Sequence, residues 1–236
     1  MQNGFGSEGE WVKAVLFDLF ETLITERENG TTIRDFGTPE CDSPAALLGI
    51  DEAVFEREWT LRRPGRMNGV FLDYYTVLKD ICFSLNLDVK DEVLIDLNKR
   101  RVAAKYVPYQ HIERNVLDVL ESLKKRGCKV GLISNCSAEE VDGLLSCPLK
   151  DFIDEMLLSF QVGLSKPQKE IYLLACERLQ VKPVDCIFVG DGGASELVGA
   201  TNAGMKAYRA TWFYDRHDTN NGFRTIGNPM DILGLI

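Results

Sequence analysis

Residues 12–18 read VKAVLFD, a short apolar run that ends in the carboxylate of Asp18. A run of this length, rich in residues that favour β-structure, is typical of a strand buried within a parallel sheet. The pattern returns along the chain as CKVGLIS (128–134), EMLLSF (155–160), CIFVGD (186–191) and MKAYR (205–209). The sequence therefore predicts a parallel sheet that contains these five segments.

Segments with helical periodicity separate these runs. IERNVLDVLESLKK (112–125) places its apolar residues on one face. SAEEVDGLL begins with a capping box, Ser137 followed three residues later by Glu140, and PQKEIYLLACERL begins with Pro167 as a first-turn proline. Because strands and helices alternate, the predicted fold class is α/β, a Rossmann-like parallel sheet flanked by helices.

Residues 25–111 interrupt this alternation, because they contain helical patterns and no convincing buried strand. Asp51 is predicted to cap the helix EAVFEREWTLRR, and two further helices are expected near 71–85 and 90–105. The insert is interpreted as a small α-helical cap domain. Three arginines of the insert are interpreted as solvated charges at a helix end: Arg62, Arg63 and Arg66. The predicted domains are the core, residues 1–24 and 112–236, and the cap, residues 25–111.

Composition limits the classes of partner. The chain has 27 basic and 36 acidic residues, a formal net charge of −9, which argues against binding of an extended nucleic acid but leaves small phosphorylated substrates open. Seven scattered cysteines without a C-x-x-C pair indicate a reducing, cytoplasmic setting, and two histidines complete no zinc site. No signal peptide or membrane-spanning run is visible, so no membrane association is expected.

Polar residues follow the predicted strands at equivalent places. Asp18 ends the first strand, Ser134 ends the second, Lys166 follows the third and Asp191 ends the fourth. In an open parallel α/β sheet, ligands bind beyond the carboxyl ends of the strands. The sequence therefore predicts that these side chains converge on one binding site.

The segments that carry these residues resemble the four motifs of the haloacid dehalogenase superfamily. They are VLFDLFETL (15–23), LISN (132–135), SKP (165–167) and VGDGGASELVGATNAGM (189–205). The resemblance covers the predicted sheet, and in that family a helical cap follows the first motif. It implies that Asp18 is a nucleophile that forms an aspartyl intermediate, that Ser134 and Lys166 bind the transferring group, and that Asp191 helps to hold magnesium.

Elementary chemistry supports these implied roles. A carboxylate that attacks a phosphoryl group meets like charge, so a divalent cation and a lysine are needed to neutralise the site. Oxygen ligands suit Mg²⁺, and the candidate ligands are Asp18, Asp191, Glu196, directly or through water, and the backbone carbonyl of Phe20. The candidate contacts to phosphoryl oxygens are the Ser134 hydroxyl, the Asn135 backbone N–H and the Lys166 ammonium.

Phe20 departs from the phosphatase pattern, which places a second aspartate two residues after the nucleophile. Phenylalanine transfers no proton, so the source of the general acid stays open between Glu21, His111 and the cap. Three functions follow as hypotheses. The favoured one is a Mg²⁺-dependent phosphatase acting on a small phosphomonoester. One alternative is a metal-independent 2-haloacid dehalogenase, in which an aromatic residue at this position is harmless. The resemblance implies that a cap arginine would then meet the substrate carboxylate, and Arg62, Arg63 and Arg66 lie in the insert, although they are interpreted as solvated. The other alternative is a degenerate, non-catalytic binding protein.

Overall fold

The computed structural model describes residues 12–28, 31–32, 42–215 and 222–236. Its strands, in chain order, are β1 (Ala14–Phe17), β2 (Arg27–Glu28), β3 (Thr31–Thr32), β4 (Lys129–Ser134), β5 (Glu155–Leu158), β6 (Cys186–Gly190), β7 (Lys206–Ala210) and β8 (Thr225–Ile226). A six-stranded sheet has the order β5-β4-β1-β6-β7-β8, and β2 and β3 form a separate antiparallel pair.

β1 is the central strand that places the first motif. All four of its side chains are fully buried, as expected for a strand covered on both faces. It pairs in parallel with β4 on one side and β6 on the other, so that Phe17 lies opposite both Leu132 and Val189. The carboxyl ends of these three strands therefore meet at one edge of the sheet.

The first five helices after β3 make up the insert. They are α1 (Pro44–Leu48), α2 (Glu52–Leu61), α3 (Arg63–Met67), α4 (Tyr74–Ser84) and α5 (Asp91–Tyr106). Asp51 caps α2 by accepting from the Ala53 backbone N–H at 2.8 Å, as predicted. These helices bury a hydrophobic cluster of their own that includes Tyr74, Leu78 and Leu97. The division of the chain at residues 24/25 and 111/112 stays a prediction.

The remaining helices cover the sheet. They are α6 (Arg114–Lys125), α7 (Ser159–Val162), α8 (Lys169–Leu179) and α9 (Glu196–Asn202). Apolar side chains of α6 pack on one face of the sheet, and those of α8 and α9 pack on the other. The predicted α/β fold, a parallel sheet flanked by helices with a helical cap, is confirmed. No helix in the described ranges combines the length and apolar character needed to cross a membrane.

Two helix predictions are wrong in detail. The segment after Ser137 forms short 3₁₀ turns at 138–140 and 144–146, although the predicted capping box with Glu140 is present. Gly143 lies against the Tyr109 ring in this segment. A Cβ atom on Gly143 would be 2.3 Å from Tyr109 Cδ2, so no side chain fits at this position.

Pro167 lies outside the first turn of its helix. A turn occupies the preceding residues, because the Ser165 backbone N–H donates to the Gln168 side chain at 2.8 Å and the Gln168 N–H donates to the Ser165 carbonyl at 2.9 Å. The helix α8 therefore begins only at Lys169.

Candidate active site

Asp18 follows β1 directly, and its position is set by the neighbouring strand. Its backbone N–H donates to the Val189 carbonyl at 2.9 Å, and the side chain is buried. The Thr22 hydroxyl lies 3.4 Å from Asp18 Oδ2. The carboxylate is therefore held at the carboxyl end of the sheet, where the sequence predicted it.

Lys166 lies between two carboxylates. Its ammonium contacts Asp18 Oδ1 and donates to Glu196 Oε2 at 2.5 Å, and all three side chains are buried. The Asn135 amide holds the lysine backbone, because its Nδ2 donates to the Lys166 carbonyl at 2.8 Å and its Oδ1 accepts from the Lys166 N–H at 2.7 Å. Asn135 thus positions the residue that bridges the site.

Asp191 and Glu196 complete an acidic cluster. Each of Asp18, Asp191 and Glu196 offers a carboxylate oxygen within 4.8 Å of the others. Backbone N–H groups of the loop orient them: Gly193 donates to Asp191 Oδ1 at 2.8 Å, and Gly192 donates to Glu196 Oε1 at 3.0 Å. Such a set of oxygens is the ligand type that Mg²⁺ prefers.

A glycine makes room for one of these acids. A Cβ atom on Gly190 would lie 2.2 Å from Glu196 Oε1, which no real contact allows. The last residue of β6 therefore has to be glycine for the Glu196 carboxylate to lie where it does.

The pKa values of the cluster reflect crowded negative charge. Burial raises the pKa of Asp18, and the Asp191 charge adds to this effect against the opposing effect of Lys166. Burial and the Asp18 charge likewise raise the pKa of Glu196 to about 8. Burial alone would lower the pKa of Lys166, but Asp18 and Glu196 raise it above its usual value. The cluster contains three carboxylates and one ammonium. A bound cation would compensate the excess negative charge.

Ser134 and Phe20 occupy different environments. The Ser134 hydroxyl is fully buried, has no hydrogen-bond partner among the described residues and does not border the cavity that Asp18 lines. Phe20 does border that cavity. The binding role of Ser134 and the metal-ligand role of the Phe20 carbonyl stay predictions.

Neither candidate acid named from the sequence reaches the cavity. Glu21 accepts hydrogen bonds from the Thr25 hydroxyl at 2.9 Å and the Glu26 backbone N–H at 3.1 Å, which commits its carboxylate to the turn after β1. His111 is exposed, and neither side chain lines the cavity. The carboxylates of Glu26, which belongs to the predicted cap, and of Glu140 do line the cavity, so the source of the general acid stays open to them.

A cavity of about 430 Å³ covers the acidic cluster, and cap residues form part of its wall. Its lining residues are Asp18, Phe20, Glu26, Arg63, Arg66, Met67, Asn135, Glu140, Lys166, Asp191, Gly193, Ala194 and Glu196. A second cavity of about 700 Å³ shares Arg63, Met67, Asn135, Lys166 and Ala194 with the first. The site thus lies between the sheet edge and helix α3 of the insert.

The interpretation of the insert arginines as solvated is wrong for Arg62 and Arg66, which are both buried. Arg62 forms ion pairs with Glu58 and Asp80, each at 2.7 Å, whereas Arg63 is exposed. No local pattern indicates the burial of Arg66, because this burial depends on residues of other helices.

Buried ion pairs join the insert to the loop after β4. Arg101 of α5 donates from Nε to Glu139 at 2.9 Å and from Nη2 to Glu140 at 3.0 Å. Lys105 donates to Glu26 at 2.6 Å and lies 3.8 Å from Glu140. Burial would raise the pKa of Glu140, but Arg101 and Lys105 lower it below its usual value. These contacts hold α5 of the insert against the loop after β4.

Comparison with known proteins identifies the family. Residues 12–204, most of the chain, match the family model described as haloacid dehalogenase-like hydrolase. The chain belongs to the haloacid dehalogenase-like hydrolase family. The resemblance inferred from the four motifs is therefore confirmed, and the chain is a hydrolase of this family.

Relatives of this haloacid dehalogenase-like hydrolase include phosphatases and dehalogenases. A glyceraldehyde 3-phosphate phosphatase of Methanopyrus kandleri is 30% identical over 211 residues, which cover 84% of this chain and 83% of the relative. The (S)-2-haloacid dehalogenase 2 of a Pseudomonas species is 26% identical over 231 residues, 95% of this chain and 93% of the relative. A family enzyme of Bacteroides thetaiotaomicron, solved with magnesium and inorganic phosphate, shares the fold with a TM-score of 0.61 and 19% identity, covering 89% of this chain and 100% of that one.

Proposed function

We propose that the chain is a Mg²⁺-dependent phosphatase that hydrolyses a small phosphomonoester through an aspartyl-phosphate intermediate on Asp18. The observation that carries this proposal is the juxtaposition of Asp18, Asp191 and Glu196 with the Lys166 ammonium at the end of the sheet. A structural ion pair would need one carboxylate for one lysine. Three buried carboxylates around one ammonium fit a site that also takes a divalent cation.

The residues present fit magnesium. Asp18, Asp191 and Glu196 would hold it, with the backbone carbonyl of Phe20 as a further ligand, and the raised pKa of Glu196 is the expected sign of a carboxylate cluster that a cation stabilises. When bound, the ion neutralises charge on the transferring phosphoryl group and on its attacking carboxylate.

The chain's own residues perform the group transfer. An Asp18 oxygen attacks phosphorus and forms the new P–O bond, while the bond to the leaving alkoxide breaks and the alkoxide takes a proton from solvent. Lys166 contacts the attacking carboxylate and offsets negative charge on the phosphoryl oxygens. Asn135 holds Lys166 in place, and we assign the Ser134 hydroxyl and the Asn135 N–H as further phosphoryl contacts.

Water then hydrolyses the aspartyl phosphate and releases inorganic phosphate. Phe20 provides neither acid nor base for either step, and general acid–base help is typically worth about 10²–10⁴-fold in rate. Substrates whose leaving group needs no proton should therefore react fastest. The glyceraldehyde 3-phosphate phosphatase among the relatives and the structural neighbour solved with magnesium and inorganic phosphate support a small phosphorylated substrate.

The test is hydrolysis of p-nitrophenyl phosphate by the purified chain, with Mg²⁺ and with excess chelator, beside the Asp18→Asn variant. We expect turnover that requires both Mg²⁺ and Asp18. Absence of turnover above the Asp18→Asn background, also with a panel of sugar, nucleotide and acid phosphates, would refute the proposal and leave dehalogenation or a non-catalytic binding protein.

A second candidate function is metal-independent dehalogenation of a 2-haloacid. Phe20 favours it, because halide leaves without a proton, and so does the dehalogenase relative. The clustered acids Asp191 and Glu196 oppose it, since this reaction needs no metal ligands. Halide release from 2-chloropropionate in excess chelator would establish the second function, and its absence would eliminate it.

A further inference from the structure

Two buried thiols contact each other where α8 meets β6. Cys176 lies in α8, Cys186 is the first residue of β6, and their sulfur atoms are 3.8 Å apart. The two residues are 2% and 1% exposed and belong to the hydrophobic cluster that α8 and α9 form with one face of the sheet. Neither lines the cavity over Asp18, so the proposed reaction gives this pair no role.

The pair lies at the edge of the sheet opposite the active site. Cys186 begins β6, whereas Asp191 of the acidic cluster follows the end of the same strand. The last residue of α8, Leu179, also lies at this opposite edge, because its carbonyl accepts from the ammonium of Lys129, the first residue of β4, at 2.5 Å. A covalent link between the two sulfur atoms would therefore join the helix to the strand away from the substrate.

The sulfur–sulfur contact distinguishes this pair from other cysteines of the described residues. Three further buried cysteines direct their sulfur to a backbone carbonyl, namely Cys128, Cys136 and Cys147. The sulfur atoms of a disulfide are about 2.05 Å apart, so the side chains of Cys176 and Cys186 have to close by less than about 2 Å. The pair is thus positioned for a disulfide in the folded protein.

The two thiols differ in acidity. The hydrogen bond between the sulfur atoms lowers the pKa of Cys176 below its usual value, whereas this bond and burial raise the pKa of Cys186. Cys186 keeps its proton, and its Sγ also lies 3.1 Å from the Lys182 carbonyl. Because the thiolate is the reactive form of cysteine, Cys176 is the sulfur that reacts first.

A small oxidant can reach the pair from the nearby surface. Glu177 and Arg178, which follow Cys176, are exposed, and the short turn Pro183–Asp185 that precedes Cys186 has no buried residue. Turns with few buried contacts open locally at low cost in free energy. Hydrogen peroxide is only slightly larger than water and enters through such an opening.

We propose that Cys176 and Cys186 form a modification site, which a hydroperoxide converts reversibly to a disulfide that joins α8 to β6. The Cys176 thiolate attacks a peroxide oxygen, so that an S–O bond forms, the O–O bond breaks and hydroxide leaves. The Cys186 sulfur then attacks the sulfenic acid on Cys176. The S–S bond forms, the S–O bond breaks, and the departing hydroxide takes the Cys186 proton.

The atoms and electrons of this reaction balance. The two sulfur atoms together lose two electrons, and the peroxide gains them and ends as two molecules of water, which take up both thiol protons. A thiol reductant restores the pair by thiol–disulfide exchange. The modification is therefore compatible with a reducing setting, where it would be transient.

The test oxidises the folded, reduced protein with hydrogen peroxide and maps its cysteines. Remaining thiols are blocked with N-ethylmaleimide, and the protein is digested with trypsin without reductant. Trypsin cuts after Arg178, between the two cysteines, so a disulfide appears as two peptides linked to each other. We expect peptide 170–178 to be linked to the peptide that contains Cys186, with two hydrogen atoms lost, and dithiothreitol to separate them.

Single substitutions test the order of the two steps. In Cys186→Ala the sulfenic acid on Cys176 has no partner, so dimedone, a reagent for sulfenic acids, should label Cys176. In Cys176→Ala we expect at least about 10-fold less label on Cys186, because its thiolate is scarcer. Cys147→Ala is the matched control, since Cys147 is also buried but directs its sulfur to a backbone carbonyl, and it should leave the linked peptides unchanged.

The link should also raise the thermal midpoint of unfolding. A disulfide restricts the unfolded chain, here between cysteines ten residues apart, and we expect the oxidised protein to unfold at least about 3 °C above the reduced protein. Circular dichroism measures both midpoints. The Cys176→Ala protein, treated with peroxide in the same way, should show no such increase.

Three results would overturn the proposal. Absence of peptides linked through Cys176 and Cys186, or links among other cysteines in their place, would remove the modification site. Equal dimedone labelling of the two cysteines would overturn Cys176 as the first sulfur to react. An unchanged midpoint after the link has formed would show that it does not stabilise the packing of α8 on β6. None of these measurements uses turnover, so the outcome is independent of the phosphatase proposal.

Discussion

Asn135 and Lys166 are joined by two hydrogen bonds, from the Asn135 amide to the Lys166 carbonyl at 2.8 Å and from the Lys166 N–H to the amide oxygen at 2.7 Å. The pair links the loop after β4 to the loop before α8 across 31 residues of sequence. It fixes the backbone of the lysine whose ammonium lies between Asp18 and Glu196. The asparagine of the second motif therefore acts through the lysine of the third.

Replacing Asn135 should impair turnover more than binding. Asn135→Ala removes both hydrogen bonds, and a displacement of about 1 Å at Lys166 can cost about 10²-fold in rate. We expect kcat for p-nitrophenyl phosphate to fall at least about 10-fold, with a smaller change in KM. Asn115→Ala, at an exposed position of α6, is the control. A variant that is merely less stable, with kcat unchanged, would contradict the positioning role.

Gly190 should be needed for the metal site. Gly190→Ala places a Cβ atom where the Glu196 carboxylate now lies, at 2.2 Å from Oε1, and so displaces this ligand. We expect the Mg²⁺ concentration for half-maximal activity to rise at least about 10-fold, as the loss of one charged ligand predicts. Gly227→Ala, which adds a methyl group in open space, should leave the titration unchanged. Identical Mg²⁺ titrations for the two variants would be inconsistent with Glu196 as a ligand.

Phe20→Asp should supply a proton donor at the position where the phosphatase pattern places an aspartate. Phe20 borders the cavity beside Asp18, so a carboxyl group at this position can reach the leaving oxygen. General acid catalysis helps poor leaving groups most, and we expect hydrolysis of an alkyl phosphate to rise about 10-fold or more relative to p-nitrophenyl phosphate. Rates are compared as kcat/KM on both substrates. An unchanged ratio would show that the position does not transfer protons.

Arg101 should stabilise the fold far more than its neighbour Arg100. Arg101→Met leaves the buried carboxylates of Glu139 and Glu140 without their main partner, which typically costs about 3–5 kcal/mol. Among the residues that the structure describes, Arg100 pairs with Asp96 alone, on the surface of the same helix, so Arg100→Met should cost about 0.5 kcal/mol or less. Urea unfolding measures both. Equal losses in the two variants would contradict the buried ion-pair cluster.

The same cluster predicts a loss of stability in acid. Arg101 and Lys105 lower the pKa of Glu140 below its usual 4.5 against the effect of burial, so the ionised form is favoured in the folded protein. This stabilisation is present above about pH 4.5 and is lost as the pH falls through the lower folded-state pKa. We expect the free energy of unfolding of Glu140→Gln to depend less on pH than that of the parent protein between about pH 5 and about pH 3. An unchanged pH dependence of the free energy of unfolding would show that Glu140 does not contribute to this loss of stability.

The sequence predicted the sheet and the convergence of its polar ends for a simple reason. The carboxyl ends of parallel strands lie at one edge, so Asp18 and Asp191, which follow β1 and β6, come close together once the strands pair in register. Lys166 was placed by its position after the third strand, and the ammonium does lie against Asp18. Local sequence patterns are therefore sufficient to predict a site when parallel strand pairing brings the ends of the strands together.

The wall of the cavity formed by the insert was not predictable in this way. Arg66 is buried because it stacks on Trp59 of the preceding helix, and Arg101 pairs with acids 38 and 39 residues away. Helical periodicity shows which face of a helix is apolar but not which charged side chain is enclosed when helices meet. The same limit applies to Glu140, which the sequence identified only as part of a capping box.

The most direct test of the account is to trap the phosphoryl group on Asp18. The protein is mixed with Mg²⁺ and excess p-nitrophenyl phosphate, quenched in acid and reduced with borohydride, which converts an aspartyl phosphate to homoserine. Peptide mass spectrometry then examines the segment that contains residue 18. We predict homoserine at position 18 in the protein incubated with substrate, and aspartate in its absence. Unmodified aspartate at position 18 during active turnover would contradict Asp18 as the nucleophile.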